Sequence, residues 1–146
     1  MESAEVVFRN FLRSRRLKYT SERKAILEAV ERFNHPFEAE ELLRSMLPAH
    51  HASKATVYRT LKHLAACHLV NQIFFDSGKQ SYYDYVGGGR EHDHLIDEET
   101  KMVIPFSSPE ITALGRQIAR KLGFTAVAHR FLILGRKDHK PPSESE

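Results

Sequence analysis

Ser53-Lys54-Ala55-Thr56-Val57-Tyr58-Arg59-Thr60-Leu61-Lys62 opens a helix that the spacing carries on to Ala66. Ser53 is its cap, and Val57, Leu61 and Leu64 fall on one apolar face. The period then changes. Residues 69–75 and 79–86 alternate and are rich in β-branched and aromatic side chains, with Asp76-Ser77-Gly78 between them. That is a β-hairpin. Upstream, residues 37–46 read as a helix, with Ala39, Leu42, Leu43 and Met46 at helical spacing. Asn34-His35-Pro36 separates it from an earlier helix at 22–33, because proline cannot continue a helix. Thr20-Ser21-Glu22-Arg23 is the start signal for that helix, and residues 6–17 form one before it, apolar on one side and basic on the other. Helices followed by a two-stranded hairpin are the winged-helix order.

Downstream, Gly87-Gly88-Gly89 offers no side chains to pack, which places a hinge at 87–90. Residues 91–96 and 102–106 read as strands around a charged turn at 97–101. Ser108-Pro109-Glu110 starts a helix through Ile111, Leu114, Ile118 and Leu122 to Gly123. Residues 124–129 and 131–134 read as a last strand or pair, and the polar tail at 137–146 as disordered. The expected fold is α/β in the broad sense (α+β). A winged-helix domain at 1–86 is followed by the hinge and a small α/β domain at 91–136.

The chain has 146 residues, 41% hydrophobic and 28% charged, the composition of a soluble globular protein. No window resembles a membrane span, and no secretory signal is visible at the N-terminus. One cysteine, Cys67, excludes an internal disulfide and any zinc site made of cysteine pairs. A reducing cytoplasm is the expected compartment. Cys67 itself follows Leu64, Ala65 and Ala66 and reads as a packing residue. The net charge is +3, and it is unevenly spread. Residues 1–85 carry 13 Lys and Arg against 10 Asp and Glu, while residues 86–146 carry nine of each.

The basic excess therefore lies on the helical half. The outer face of the helix from Lys54 shows Lys54, Thr56, Tyr58, Arg59 and Lys62. A helix fits the major groove of B-DNA, and an arginine there can bond guanine bidentately. Lys18 and Arg23, around the earlier cap, are placed to reach phosphates or the minor groove. The alternative is an ordinary solvated face. The winged-helix order and the local charge favour double-stranded DNA as the partner.

Nine histidines stand in this short chain; a His-x-His alone is more often a pair of partly exposed histidines, so its company decides. In a strand, His92 and His94 share one face, with Asp93 on the other. Asp84 ends the hairpin before the glycines, and His35 sits in the break between helices. If the second domain folds back on the first, these four meet. Imidazole nitrogens with a carboxylate suit divalent zinc, iron, manganese, cobalt or nickel. Metal would then set domain orientation and DNA affinity by linkage. Glu91, Asp93 and His129 form a possible second site, the alternative being a solvated acidic edge.

Thr56-Val57-Tyr58-Arg59-Thr60-Leu61, His35-Pro36-Phe37-Glu38-Ala39-Glu40-Glu41-Leu42 and His92-Asp93-His94-Leu95-Ile96 together resemble the ferric uptake regulator family over residues 5–135. These are bacterial, metal-dependent, dimeric winged-helix repressors. The resemblance implies a homodimer through the second domain and operator DNA read by Tyr58 and Arg59, with Lys18 and Arg23 in support. It implies a sensing site of His35, Asp84, His92 and His94, and a second site of Glu91, Asp93 and His129. It implies a divalent cofactor, Fe(II) in the cell, with Mn(II) or Zn(II) as substitutes. The family's two Cys-x-x-Cys pairs would fall at Asp97 and Thr100 and after Gly135. None is present, so the four-cysteine zinc is excluded and the dimer must rest on strand pairing and packing around Ile104, Phe106, Leu132 and Leu134. An acidic fifth ligand would fall at Pro105 and one of the second site at Thr112. His35 lies one residue earlier than the usual alignment.

The resemblance points to an iron-responsive repressor. Asp84, where iron sensors tend to carry Glu, keeps open a peroxide sensor, in which peroxide reacts with bound Fe(II) and a ligand histidine is oxidised; zinc and manganese sensing also stay open. A hydrolase on the same histidines would need an open metal position and a general base. No such motif, and no phosphate loop or nucleophile signature, appears. No enzymatic activity, small-molecule substrate or membrane partner is expected.

Overall fold

The computed structural model describes residues 2–75, 80–87 and 92–138. The chain divides into two compact units, Met1–Glu91 and His92–Glu146. The hairpin turn at 76–78, Gly88 to Arg90 of the hinge, Glu91 and residues 139–146 of the tail lie outside the described residues.

The first unit contains α1 (Ala4–Ser14), α2 (Ser21–Arg32), α3 (Ala39–Met46), α4 (Lys54–Ala66), β1 (Val70–Phe75) and β2 (Gln80–Tyr85). Three of the helices start where a hydroxyl precedes an apolar run. Ser3 Oγ accepts from Val6 N, Thr20 Oγ1 from Arg23 N and Ser53 Oγ from Thr56 N, at 3.0–3.2 Å. Each such cap satisfies an orphan helix donor and stabilises by about 1 kcal/mol. The apolar faces meet in one core, in which Phe8, Leu12, Ile26, Leu27, Val30, Phe37, Leu42, Val57, Leu61 and Leu64 are buried.

The two strands pair antiparallel, Val70 opposite Tyr85 and Asn71 opposite Asp84. Phe37 adds a bridge to this hairpin. Its N–H donates to the Tyr83 carbonyl at 2.8 Å and its carbonyl accepts from Tyr83 N at 2.7 Å. The Phe37 ring stacks on Phe33 (4.5 Å) and Tyr83 (6.1 Å). The chain therefore meets β2 antiparallel at Phe37, between the His35-Pro36 break and α3.

Gly87 is needed for close approach. A Cβ there would come within 2.6–2.7 Å of the ring and hydroxyl of buried Tyr85. Its place at the hinge thus has a packing reason in addition to chain freedom.

The second unit contains β3 (Asp93–Asp97), β4 (Val103–Phe106), α5 (Pro109–Lys121) and β5 (Leu132–Gly135). The sheet order is β4-β3-β5, with β3 antiparallel to β4 and parallel to β5. The stretch 124–129, expected as strand, has no regular structure. Residues 124–128 are all exposed, so no buried face rewards pairing them along the outer edge of β4 or β5. Ser108 caps α5 at Ile111 N and Pro109 stands in its first turn.

The β3–β4 turn closes through Asp97. Its Oδ1 accepts from Glu99 N at 2.9 Å and Thr100 N at 3.4 Å, and these bonds hold its carboxyl below the usual range. Glu98 ties the turn to the end of β5. Its N–H donates to the Gly135 carbonyl, and its carboxylate pairs with Arg136 Nε at 3.0 Å.

Candidate nucleic-acid interface and metal centre

Burial of Val57, Thr60, Leu61 and Leu64 fixes the rotation of α4. Lys54, Tyr58, Arg59 and Lys62 are exposed and Thr56 half-buried. Thr56 organises the start of this face. Its Oγ1 shares a hydrogen bond with Ser53 Oγ at 2.8 Å and accepts from Arg59 Nη2 at 3.3 Å. Arg59 is thereby drawn along its own helix toward the N-terminal turn. Lys54 pairs with Glu40 of α3 at 2.9 Å. The bond and the charge of each partner raise the Lys54 pKa and lower that of Glu40. Sequence reasoning missed Glu40, because a pair 14 residues apart on two helices has no local signature. Arg23 Nη1 donates to the Lys18 carbonyl, fixing the α1–α2 loop to the first turn of α2. His63, further along α4, is half-buried; desolvation first, then Arg23, Lys62, Arg15 and Arg59, push its pKa down.

The metal candidates fall in both units. In the first, His35 is exposed and its Nδ1 lies 2.8 Å from the Pro36 carbonyl. A carbonyl only accepts, so Nδ1 carries the hydrogen. In the neutral ring that leaves Nε2 as the nitrogen with a lone pair for a metal. Asp84 is buried in β2, one residue past the Phe37–Tyr83 bridge.

In the second unit, His94 is buried in the central strand, opposite Pro105 of β4 and Leu132 of β5. The residue facing it across β4 thus has no ligating side chain. His92 precedes β3 and is half-buried. Asp93 is buried in β3 and registers with Phe106. His129 Nε2 lies 3.0 Å from Asp93 Oδ1 and 3.3 Å from Oδ2, and only the Oδ2 contact has hydrogen-bond direction. Asp93 Oδ1 is buried without a hydrogen-bond partner among the described residues. Leaving such an oxygen unsatisfied costs on the order of 1–3 kcal/mol, which a cation would relieve. This residue pair fits a divalent ion. Thr112, expected to leave this site short of a carboxylate, donates to the Ser108 carbonyl within α5. Glu91 lies outside the described residues, and neither unit by itself gathers three His, Cys, Asp or Glu side chains among those described.

The sequence matches the model of the ferric uptake regulator family over residues 14–134. The chain belongs to the ferric uptake regulator family. It is 38% identical over 122 residues to the ferric uptake regulation protein of Rhizobium leguminosarum bv. viciae, covering 83% of this chain and 84% of that one. The fold is similar to the ferric uptake regulator of Pseudomonas aeruginosa with manganese, at a TM-score of 0.70 and 31% identity over 86% of this chain and 94% of that one. It is also similar to a zinc-bound manganese uptake regulator, at 0.54 and 35% over 90% and 98%. The chain thus has the family's winged-helix DNA-binding domain and small α/β dimerisation domain, and the family's members are metal-dependent transcriptional regulators. With one cysteine, it lacks the paired cysteines of the structural zinc. Where the first pair would stand, Asp97 and Thr100 close the turn by hydrogen bonds. No helix among the described residues is long and apolar enough to cross a membrane.

Proposed function

We propose that this chain is a homodimeric, iron-responsive repressor that binds operator DNA in its metal-loaded form and has no enzymatic activity. The observation that carries the metal dependence is the buried Asp93 carboxylate with His129 against it, its Oδ1 accepting no hydrogen bond among the described residues. Asp93 and His129, with Glu91, hold the second ion. His35, Asp84, His92 and His94 hold the sensing ion, His35 through the nitrogen that its Nδ1 contact leaves available. A bound divalent ion supplies an electrostatic tie among these donors and no bond-making chemistry. The donors are nitrogen and oxygen only, a set that takes Fe(II), Mn(II) and Zn(II) alike, so the choice of iron rests on the family.

At the DNA, Tyr58 and Arg59 read base edges from the major groove. Lys54, Thr56 and Lys62 flank them, and Lys18 and Arg23 contact the backbone or minor groove. The dimer rests on α5, which buries none of its own residues, and on exposed Ile104, Leu132, Ile133 and Leu134.

The test selects a binding duplex from random DNA with Mn(II)-loaded protein, then measures its affinity with metal and with chelator, for wild type and for His92→Ala/His94→Ala. Binding that needs metal in wild type and ignores it in the variant is expected. Equal binding of both proteins in chelator would overturn the proposal. Release of the duplex from the Fe(II) protein by peroxide, with oxidation of a ligand histidine, would move the reading to a peroxide sensor.

A further inference from the structure

The end of α1 and the loop after it border an open surface pocket of about 320 Å³ lined by Arg9, Arg13, Arg16, Leu17, Lys18 and Tyr19. Four of the six are permanent cations and none is acidic. Arg9 lies over the Tyr19 ring at 5.3 Å and makes a 3.6 Å exposed ion pair with Glu5. Tyr19 is held edge-on against buried Phe8, and burial raises its pKa, so its phenol keeps its proton.

The backbone explains how cations come to sit at a helix C-terminus, where free carbonyls would otherwise repel an anion. Leu17 N donates to the Leu12 carbonyl and Arg16 N to that of Arg13, the pattern of a Schellman cap. The residue turning the corner of such a cap is left-handed, and glycine is the usual choice. Here Arg16 occupies it, at φ 58.

We infer that this pocket seats a phosphate of the DNA backbone, a contact separate from base reading by α4. It rests on the DNA-binding reading proposed above. Lys18 makes it continuous with the contacts already assigned there, and guanidinium groups match phosphate geometry. Phosphate contacts position the protein and carry no sequence information.

The experiment uses the full-length Mn(II)-loaded protein and a fluorescent mixed-sequence duplex of about 30 base pairs, with affinity measured from 50 to 200 mM KCl. Arg9→Gln/Arg13→Gln/Arg16→Gln is compared with Lys24→Gln/Arg32→Gln/Arg44→Gln, which removes the same charge from exposed positions elsewhere in the unit. The pocket variant should lower the slope of log affinity against log salt by about 0.9 for each phosphate lost, worth about 3.5-fold across that range. The control should change it far less. Arg16→Gly gives the same comparison without a loss of folding. It should melt at the same temperature as wild type or higher, yet bind the duplex more weakly.

Equal slopes for the pocket and control variants would overturn the inference, as would wild-type affinity in Arg16→Gly. Titration with pyrophosphate in the absence of DNA separates the other source of the ligand. Tight pyrophosphate binding lost in the pocket variant, with its DNA slope unchanged, would assign the pocket to a small free anion and refute the DNA contact. If wild type binds no duplex at any metal loading, the DNA-binding reading fails; if wild type binds and the pocket variants match it, only this inference fails.

Discussion

Replacing Ile118 by glutamate should break the proposed dimer. Ile118, Leu114 and Leu122 recur every four residues on one face of α5, and all three are about half exposed or more. Covering what remains of the Ile118 side chain is worth about 1 kcal/mol, half the value of burying an isoleucine completely. A glutamate at that place loses this gain and must also be desolvated without a partner, an effective cost of at least about 2 kcal/mol. In a two-fold dimer the same patch occurs on both copies. The substitution therefore counts twice, about 6 kcal/mol, or a dissociation constant raised on the order of 10⁴-fold. Arg116→Glu, on the opposite side of the helix, is the control. Sedimentation velocity over the micromolar range should show a dimer for wild type and Arg116→Glu and a monomer for Ile118→Glu. A wild type that is monomeric throughout, or an Ile118→Glu protein that stays dimeric, would refute the reasoning.

Three further outcomes are expected. His63 has its pKa lowered by burial and four nearby cations, so the folded state binds fewer protons than the unfolded one below pH 6.5. Stability should be full above that pH and fall as pH drops through it. Urea melts at pH 7.5 and 5.5 should show a smaller loss for His63→Gln; an identical loss would contradict the shift. Burial pushes the Cys67 thiol up to about 11 from 9.0. At pH 8 iodoacetamide should therefore label native Cys67 about 100-fold more slowly than the urea-unfolded chain, and equal rates would contradict its reading as a packing residue. Gly87→Ala forces a methyl into the Tyr85 ring, an overpacking worth about 1–3 kcal/mol. The first unit should melt about 5–20 °C lower, and an unchanged melt would show that the ring yields.

The first unit was legible because its signals are local. Hydroxyl caps at Thr20 and Ser53, proline at 36 and the change of period after Cys67 each act over a few residues, and the structure has α2, α4 and the β1–β2 hairpin there. Alternation likewise put His94 and Asp93 on opposite faces of β3. Alternation cannot say what covers each face. Asp93 and His129, 36 positions apart, pair as a possible site in the sequence, but the burial of Asp93 is not visible in the alternation. The strand expected at 124–129 failed for the same reason, since propensity is local and the burial of a strand's face is not. The pocket at Arg16 was hidden differently. A basic face on α1 was visible, but a left-handed arginine is a property of the backbone that composition does not report.

The second unit also shows how the β3–β4 turn is held without the family's paired cysteines. Hydrogen bonds from Asp97 close the β3–β4 turn, and Glu98 joins it to β5. The Glu98–Arg136 pair is exposed, so it contributes little by itself. Backbone bonds of β3 to both neighbours hold the sheet, yet α5 has no buried residue among those described. In a lone chain, then, the apolar face of the helix adds almost nothing to the folding of its own unit. In the proposed dimer a second copy covers it, which would couple folding of this unit to association by mass action. The midpoint of its unfolding should rise with protein concentration, and Ile118→Glu should abolish that dependence along with the dimer.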